Sequence, residues 1–248
     1  MANRSSAPGR APKTRAASAA PPVLERSRGD VARQALIEAG VAVFGEHSLH
    51  SASTREIARR AGQNIAAIAY YFGSKQGLYH AVVAHIAGII DARVGPLMDE
   101  IASYLAKGQP APERCLDYMG QLLASTLATH TDMLPVTSII IKEQMQPTEA
   151  FSILYDGALA QLQATGAALL QAYCGLPADS QETIVRFHAM LGQSLAFRFA
   201  RQTIIRRAGW RSIAAPQEQL IREVVIEQTQ AAMRSLRRQH SRKLLART

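Results

Sequence analysis

The sequence has little of what marks several large classes of protein. Its 248 residues include two cysteines, Cys115 and Cys174, which have no close partner in the sequence, so neither a disulfide framework nor a zinc site is indicated. Aromatic residues make up only 6% of the chain, and no apolar run approaches the roughly 20 residues that span a bilayer. We therefore expect two small core thiols in a reducing cytosol, and no membrane partner.

The sequence also lacks the clustered groups that catalysis needs. The seven histidines are scattered, and no glycine-rich loop is present that would bind phosphate. His80 and His85 are five residues apart, so they would not share one face of a helix as a metal pair would. We predict no catalytic residue, no metal and no cofactor, and keep a helical enzyme as a rival hypothesis.

The positive charge of the chain lies at its two ends. The formal net charge is +9, with +5 in residues 1–28 and +6 in residues 234–248, which leaves −2 for residues 29–233. A general charge argument for nucleic-acid binding would therefore depend on the ends alone. We expect residues 1–27 and 241–248 to be disordered basic tails. The composition fits a tail that follows DNA phosphates, but it favours a tail that is simply solvated.

The hydrophobic pattern predicts an all-α protein. Apolar residues make up 48% of the chain, and they recur at helical spacing, without an alternating strand-like run or an internal repeat. Gly95-Pro96 is expected to break or kink the fourth helix. The nine predicted helices cover about 28–46, 53–61, 64–72, 74–94, 112–130, 134–145, 147–174, 180–207 and 216–239.

Residues 53–75 predict two short helices joined by a tight turn. Ser53 and Glu56 have the spacing of a capping box, and Gly62 can end the helix that they begin. Asn64 can cap the second helix, Gly73 can end it, and Ser74 can cap the next. The apolar residues of the second helix, Ile65, Ile68 and Phe72, are expected to face inward. Two helices of about two turns with a glycine turn are a DNA-binding helix-turn-helix.

The same stretch resembles the TetR family of bacterial transcriptional regulators. The resemblance is carried by residues 54–58 (TREIA), 61–62 (AG) and 70–75 (YYFGSK). Gln63 and Ala69 depart from the commoner family pattern, which bears on the operator that is read. Further along, residues 142–148, 192–198 and 206–210 resemble a CecR-type C-terminal domain.

This resemblance implies the arrangement of the chain. A helix-turn-helix domain would occupy residues 28–74, a connecting helix 75–95, and a larger ligand-binding and dimerisation domain 96–240. DNA contacts would come from the helix-turn-helix. Arg55 can reach a guanine, Asn64 an adenine edge or a phosphate, and the small Ala66 and Ala67 let the helix approach the bases. The residues placed for phosphates are Thr54, Tyr70, Tyr71 and Lys75. For Arg59 and Arg60 a solvated face is favoured.

The C-terminal helices supply candidates for an effector site and a dimer surface. Isolated polar residues on apolar helices could line a pocket: Tyr118, Thr126, Glu143, Gln144, His188 and Gln193. A hydrogen bond inside the core is the alternative for each, and Glu143 and His188 are preferred because burying them is costly. The last two helices could form a four-helix bundle with a second copy through Ile184, Leu191, Leu195, Ile221, Val225 and Leu236. Burial within one chain is the alternative there.

Together these features predict a cytoplasmic DNA-binding transcriptional regulator. The specific hypothesis is a ligand-responsive dimeric repressor, which a small, largely apolar molecule releases from a palindromic double-stranded operator. The alternatives are a non-specific architectural DNA-binding protein that uses the basic ends, and the helical enzyme.

Overall fold

A computed structural model describes residues 28–127 and 133–246 of the protein. Within these ranges the regular structure is helical and contains no strand, which confirms the all-α prediction. The predicted N-terminal tail 1–27 lies outside the described residues. The helices are α1 Arg28–Glu46, α2 Thr54–Arg60, α3 Ala66–Phe72, α4 Lys75–Ala106, α5 Pro112–Ser125, α6 Leu134–Met145, α7 Ala150–Leu154, α8 Ala160–Cys174, α9 Gln181–Phe199, α10 Arg201–Ala208 and α11 Ala215–Leu245. A π-helical segment, Tyr155–Leu159, lies between α7 and α8.

Several predicted boundaries are wrong. Gly95-Pro96 does not end α4, which continues to Ala106 with Met98 and Ile101 buried on the far side. A proline removes one backbone donor, and the apolar face beyond it keeps the chain helical. The helix predicted over 180–207 is divided between α9 and α10 at Ala200. The last helix extends to Leu245, into the segment 241–248 that was predicted to be a disordered tail.

The buried side chains form two clusters, and α4 contributes to both. The first cluster joins α1, α2, α3 and the start of α4 to apolar residues of α6, α7 and the π-helical segment, such as Val136, Ile139 and Leu154. The second joins the later part of α4 to α5, α8, α9 and α11. Cys115 and Cys174 belong to it as buried free thiols, as predicted. The predicted division of the chain near residue 74 therefore does not follow the division of its core.

A single helix of the C-terminal part caps the first helix of the chain. The Lys142 ammonium donates to the carbonyl oxygens of Phe44, Gly45 and His47 at 2.8, 2.8 and 2.9 Å. The Ser138 hydroxyl donates to the Gly45 carbonyl at 2.7 Å. The last carbonyls of a helix have no partner within it, and α1 has no basic residue in its own last turn. α6 therefore completes α1.

By length and composition, one described helix, α4, could cross a membrane. Its side chains serve another purpose here. Leu78 and Val82 are fully buried in the first cluster, and Met98 and Ile101 in the second. A helix that contributes to two cores must be apolar along its whole length, and this accounts for its composition.

Candidate DNA-binding surface and ligand cavity

The turn between α2 and α3 forms as the sequence predicts. The Ser53 hydroxyl accepts from the Glu56 N–H at 3.4 Å, and Asn64 Oδ1 accepts from the Ala66 N–H at 2.9 Å. Gly62 and Gly73 have φ of +63° and +74°, a left-handed conformation that glycine adopts without strain. The Ser74 hydroxyl caps α4 through the Gly77 N–H at 3.0 Å. These local bonds fix α3 between two turns.

α3 presents two distinct faces. Ile68 is buried in the first cluster, and Phe72 is partly buried below the guanidinium of Arg33, 5.2 Å from its ring centroid. The prediction that Ile65 faces inward is wrong, because it precedes the first turn of α3 and is 47% exposed. Tyr70 is 82% exposed on the other face.

The predicted DNA-binding residues lie on or beside this outer face. Residues 66, 67, 70 and 71 are spaced to share one side of α3. Arg55, Asn64 and Ala66 are exposed, while Thr54, Ala67 and Tyr71 are partly buried. The rings of Tyr70 and Tyr71 meet edge to face with centroids 4.8 Å apart. A short helix with small residues and aromatic hydroxyls is therefore accessible for DNA binding.

Lys75 has an internal role that the sequence analysis missed. Its ammonium donates to the carbonyl oxygens of His50 and Ala52 at 2.9 and 3.2 Å, which fastens the loop before α2 to the start of α4. A lysine has three N–H donors, so one remains for a phosphate. The partners are 25 and 23 residues away, and no local pattern indicates them.

The carboxylate of Glu56 does not complete the predicted capping box. It accepts from Arg59 at 2.8 and 2.9 Å and from Arg60 at 2.8 Å. Arg60 also forms two bonds to Glu46 of α1, at 2.9 and 3.0 Å. The bonds from Arg59 and then Arg60 lower the pKa of Glu56 to about 2, and Arg60 lowers the pKa of Glu46. Arg59 and Arg60, predicted to be solvated, are therefore paired on the surface.

A cavity of about 290 Å³ lies among α4, α5, α6, α8 and α9. Its walls are mostly aliphatic, which suits a small organic molecule. Three of the predicted ligand residues line it: Thr126, Gln144 and His188. The Nδ1 atom of His188 lies 3.4 Å from Nε2 of Gln163, another lining residue.

Glu143, a preferred ligand residue of the sequence analysis, does not line the cavity. It is 1% exposed and faces α4 and the start of α7. The Tyr79 hydroxyl donates to one of its oxygens at 2.6 Å, and the Thr148 N–H donates to the other at 3.0 Å. Burial, and then the bond to Glu143, raise the pKa of Tyr79. These core hydrogen bonds explain the burial of Glu143, and they are the alternative to ligand binding given in the sequence analysis.

Tyr118 and Gln193 also lie elsewhere. The Tyr118 hydroxyl donates to Glu100 at 2.7 Å and accepts from Arg114 at 3.1 Å. Gln193 lines a shallow groove between α9 and α11. Neither residue lines the cavity, and the period of a helix does not show which neighbouring helix each face meets.

Two arginines of the cavity were missed. Arg198 is partly buried, and its Nη2 donates to the Thr137 hydroxyl at 2.8 Å, whereas its buried Nε has no hydrogen-bond partner among the described residues. Arg93, at the exposed side of the cavity, donates to the Leu127 carbonyl at 2.8 Å. Burial, and then the charge of Arg93, lower the pKa of Arg198 to about 10. For Arg198 the sequence did contain a signal, because a single arginine between Phe197 and Phe199 indicates a charge in an apolar environment.

The structure also changes the candidate dimer surface. Four of the six predicted residues are buried within one chain: Leu191, Ile221, Val225 and Leu236. The residues of α11 are covered by α5 and α8, and Leu191 of α9 belongs to the cavity wall. Leu195 is partly buried and lines the cavity. Ile184 is 50% exposed. The exposed strip of α9 beside it contains Val185, Ala189, Gly192 and Ala196.

Comparison with known proteins identifies the family. Residues 36–82 match the family of bacterial regulatory proteins, tetR family. Residues 112–236 match the C-terminal domain of the HTH-type transcriptional dual regulator CecR. The CecR protein of Shigella flexneri is 37% identical over 202 residues, 80% of this chain and 89% of that protein. The chain belongs to the TetR family, with a CecR-type C-terminal domain.

Solved structures show the same TetR-family fold. A TetR-like transcriptional regulator from Rhodococcus sp. has a TM-score of 0.53 at 17% identity, covering 90% of this chain and 98% of that one. AmtR of Mycobacterium smegmatis has a TM-score of 0.50 at 17% identity, covering 88% and 97%. As a TetR-family member the protein is a DNA-binding transcriptional regulator and not an enzyme.

Proposed function

We propose that this TetR-family regulator is a dimeric repressor, which a small, largely apolar molecule releases from a palindromic operator. One observation carries the proposal: two of the helices that line the cavity, α4 and α6, also pack against the DNA-binding unit. A ligand that binds two conformations of the cavity with different affinity would therefore act on DNA binding.

α6 provides one physical link. Its residues Val136, Ile140 and Gln144 line the cavity at a spacing of four, which places them on one face. Ser138 and Lys142, on another face, bond to the last carbonyls of α1. A ligand that moved α6 would disturb these bonds, so α1 would have to follow.

α4 provides the second link. Ile89, Ile90 and Arg93 line the cavity, and Tyr79, ten residues earlier, bonds to Glu143 of α6. With 32 residues at 1.5 Å each, α4 is about 48 Å long. A small tilt at the cavity would therefore displace the start of the helix, to which Lys75 fastens the loop before α2.

For DNA binding we propose that α3 enters the major groove. Arg55 would contact a guanine, Asn64 a base edge or phosphate, and Ala66 and Ala67 would allow close approach. Phosphate contacts would come from Thr54, Tyr70, Tyr71 and the free donor of Lys75. Two copies related by a twofold axis would read half-sites about 34–36 Å apart.

For the dimer we propose the exposed strip of α9 with the neighbouring surface of α11. Ala189, Gly192 and Ala196 are small enough for two helices to approach closely, and the neighbouring Ile184 and Val185 are exposed apolar side chains. A four-helix arrangement of α9 and α11 from two copies would cover this strip. The buried residues of α11 would then support the surface from inside.

The deciding experiment is a binding-site selection, in which the purified protein selects operator sequences from random double-stranded DNA at physiological salt concentration. We expect one palindrome, one dimer per site and a footprint confined to it. Tyr71→Ala should weaken binding to every DNA, since its proposed contact is to phosphate. Equal binding to selected and random DNA would contradict the regulator proposal and favour a non-specific architectural protein.

A second candidate function is regulation in both directions, favoured by the name of the Shigella relative, a transcriptional dual regulator. Reporter genes that carry the selected operator upstream of the promoter and within it separate the two functions. A repressor lowers transcription at both positions. Increased transcription from the upstream position would favour the dual regulator. We expect the protein to act in the cytoplasm, where its DNA is.

A further inference from the structure

The cavity combines apolar walls with an excess of positive charge. Its aliphatic residues come from α4, α6, α8, α9 and the π-helical segment, yet Arg93 and Arg198 both line it. The described lining residues include no aspartate or glutamate. Glu143, on the same helix as lining residues Ile140 and Gln144, has both oxygens bonded to α4 and to the start of α7.

Arg198 has few hydrogen-bond partners in the ligand-free protein. Its single hydrogen bond within the described chain goes to Thr137, and its buried Nε has none. A buried donor without a partner destabilises the folded state, because it has lost its hydrogen bonds to water and gained none in the protein. The lowered pKa of Arg198 has the same physical origin, because burial and the like charge of Arg93 both disfavour its charged form. A methionine would fill this wall without such a cost.

We infer that the ligand of this cavity is an amphiphilic anion, with an apolar body among the aliphatic walls and one acidic group bound by Arg198 and Arg93. The inference rests on the proposed function, since it names the chemical class of the proposed effector. A guanidinium has five donors in a planar fork, which matches the paired oxygens of a carboxylate. One anion would satisfy the open donors and separate the two like charges.

The size of the cavity limits the ligand. A volume of about 290 Å³ is near the lower end of the range of small-molecule pockets, roughly 300–1,000 Å³, so we chose small probes of about ten non-hydrogen atoms. Octanoate, octanamide and octylammonium have a similar chain and size and differ in the charge of the head group. They therefore separate the anion hypothesis from a general preference for apolar molecules.

The experiment measures binding of these three probes to the full chain by calorimetry. We expect octanoate to bind at least tenfold more tightly than octanamide, and octylammonium not to bind measurably. Arg198→Met should reduce the preference for the acid over the amide to about one, while Arg198→Lys should keep part of it. Arg206→Met, which removes an exposed arginine outside the cavity, should leave the preference unchanged.

Asp132 lies outside the described residues and is tested as an internal counter-ion. Asp132→Asn should show the same preference as the unaltered chain. Discrimination that appeared only in Asp132→Asn would overturn the inference, because the chain would then supply its own anion.

A fold defect is distinguished by octanamide and by the melting temperature. If Arg198→Met melts normally and still binds the amide, its loss of acid preference reports the head group alone. Equal binding of all three probes by the unaltered chain would overturn the inference and leave operator binding untouched. Acid-selective binding that does not change operator affinity would support the site and contradict the induction step of the proposed function.

Discussion

The DNA-binding unit and the cavity treat their arginines in opposite ways. On the surface of α2, Arg59 and Arg60 are bonded to Glu56 and, through Arg60, to Glu46. In the cavity, Arg198 is partly buried and faces no carboxylate among the described lining residues. Two surface arginines of the unit expected to bind the polyanion are thus paired with carboxylates, while neither arginine of the apolar cavity has a carboxylate partner among the described lining residues.

This difference shows that the burial of an arginine, and not the number of arginines, indicates where a charged ligand group could bind. A surface ion pair exchanges water for a carboxylate and contributes little net stability, so it mainly fixes geometry. A cation in an apolar wall has lost its water and depends on what the protein or a ligand supplies. The chain's net charge of +9 reveals neither case, since it is concentrated at the two ends.

The largest effect is expected where the two regions meet. Glu143→Ala leaves the buried Tyr79 hydroxyl without its partner, at about 1–3 kcal/mol, and removes the acceptor of the Thr148 N–H, an exposed residue, at about 0.5–1.5 kcal/mol. We expect unfolding free energy to fall by roughly 3 kcal/mol and the melting temperature by about 6–12 °C. Glu149→Ala, at an exposed residue nearby, is the control. An unchanged melting temperature would restore Glu143 as a specific ligand-response residue, the role predicted from sequence.

The second prediction tests the DNA side. Arg55 is exposed and has no ion pair among the described residues, whereas Arg59 is bonded to Glu56. Arg55→Ala should reduce discrimination between operator and random DNA by about 1–3 kcal/mol, if it contacts a guanine. Arg59→Ala should change discrimination much less. Competition titrations at constant salt provide the measurement, and equal effects of both substitutions would remove Arg55 from base reading.

A smaller effect is expected for Arg198→Met in the ligand-free protein. The lost bond to Thr137 is offset by relief of an under-bonded guanidinium, so unfolding free energy should change by less than about 1 kcal/mol. Arg60→Met should instead lower stability slightly, because Glu46 and Glu56 both lose a partner. Urea titrations of the two variants compare the regions directly. A large loss in Arg198→Met would mean that the arginine is structural.

The smallest effect concerns pH. The pKa of Glu56 is lowered from 4.5 to about 2. Its stabilising contribution is therefore fully present above pH 4.5 and is lost as the pH falls towards 2. Glu56→Gln should melt slightly below the unaltered protein at pH 6 and converge with it near pH 2. A constant difference across this range would show that the charge of Glu56 is irrelevant.

The sequence predicted what is decided locally. The caps at Ser53, Asn64 and Ser74 and the glycine turns involve residues at most three apart, so their spacing is visible in the chain. The same local rules placed the break of α4 at Gly95-Pro96, where burial on both sides keeps the helix intact. Three of six predicted ligand residues line the cavity, because helical period indicates a face and not its neighbour.

The contacts that join the two regions could not be predicted in this way. Lys142 and the α1 carbonyls are 95–98 residues apart, and Glu143 and Tyr79 are 64 apart. Each requires the tertiary fold before its partner is known. Arg198 could have been found from the sequence, because it is a single arginine between Phe197 and Phe199, but it was not among the predicted ligand residues.

The double use of α6 has a consequence for how this protein can change over time. Val136 and Ile140 face the cavity, while Ser138 and Lys142 face α1, along a single helix of 12 residues. Because the two sets alternate along the helix, inserting or deleting one residue among them would rotate the residues on one side of the change by about 100° relative to those on the other side and so split both sets. Substitutions can therefore accumulate along α6, but its length is fixed, and relatives that keep both contacts should align through it without a gap.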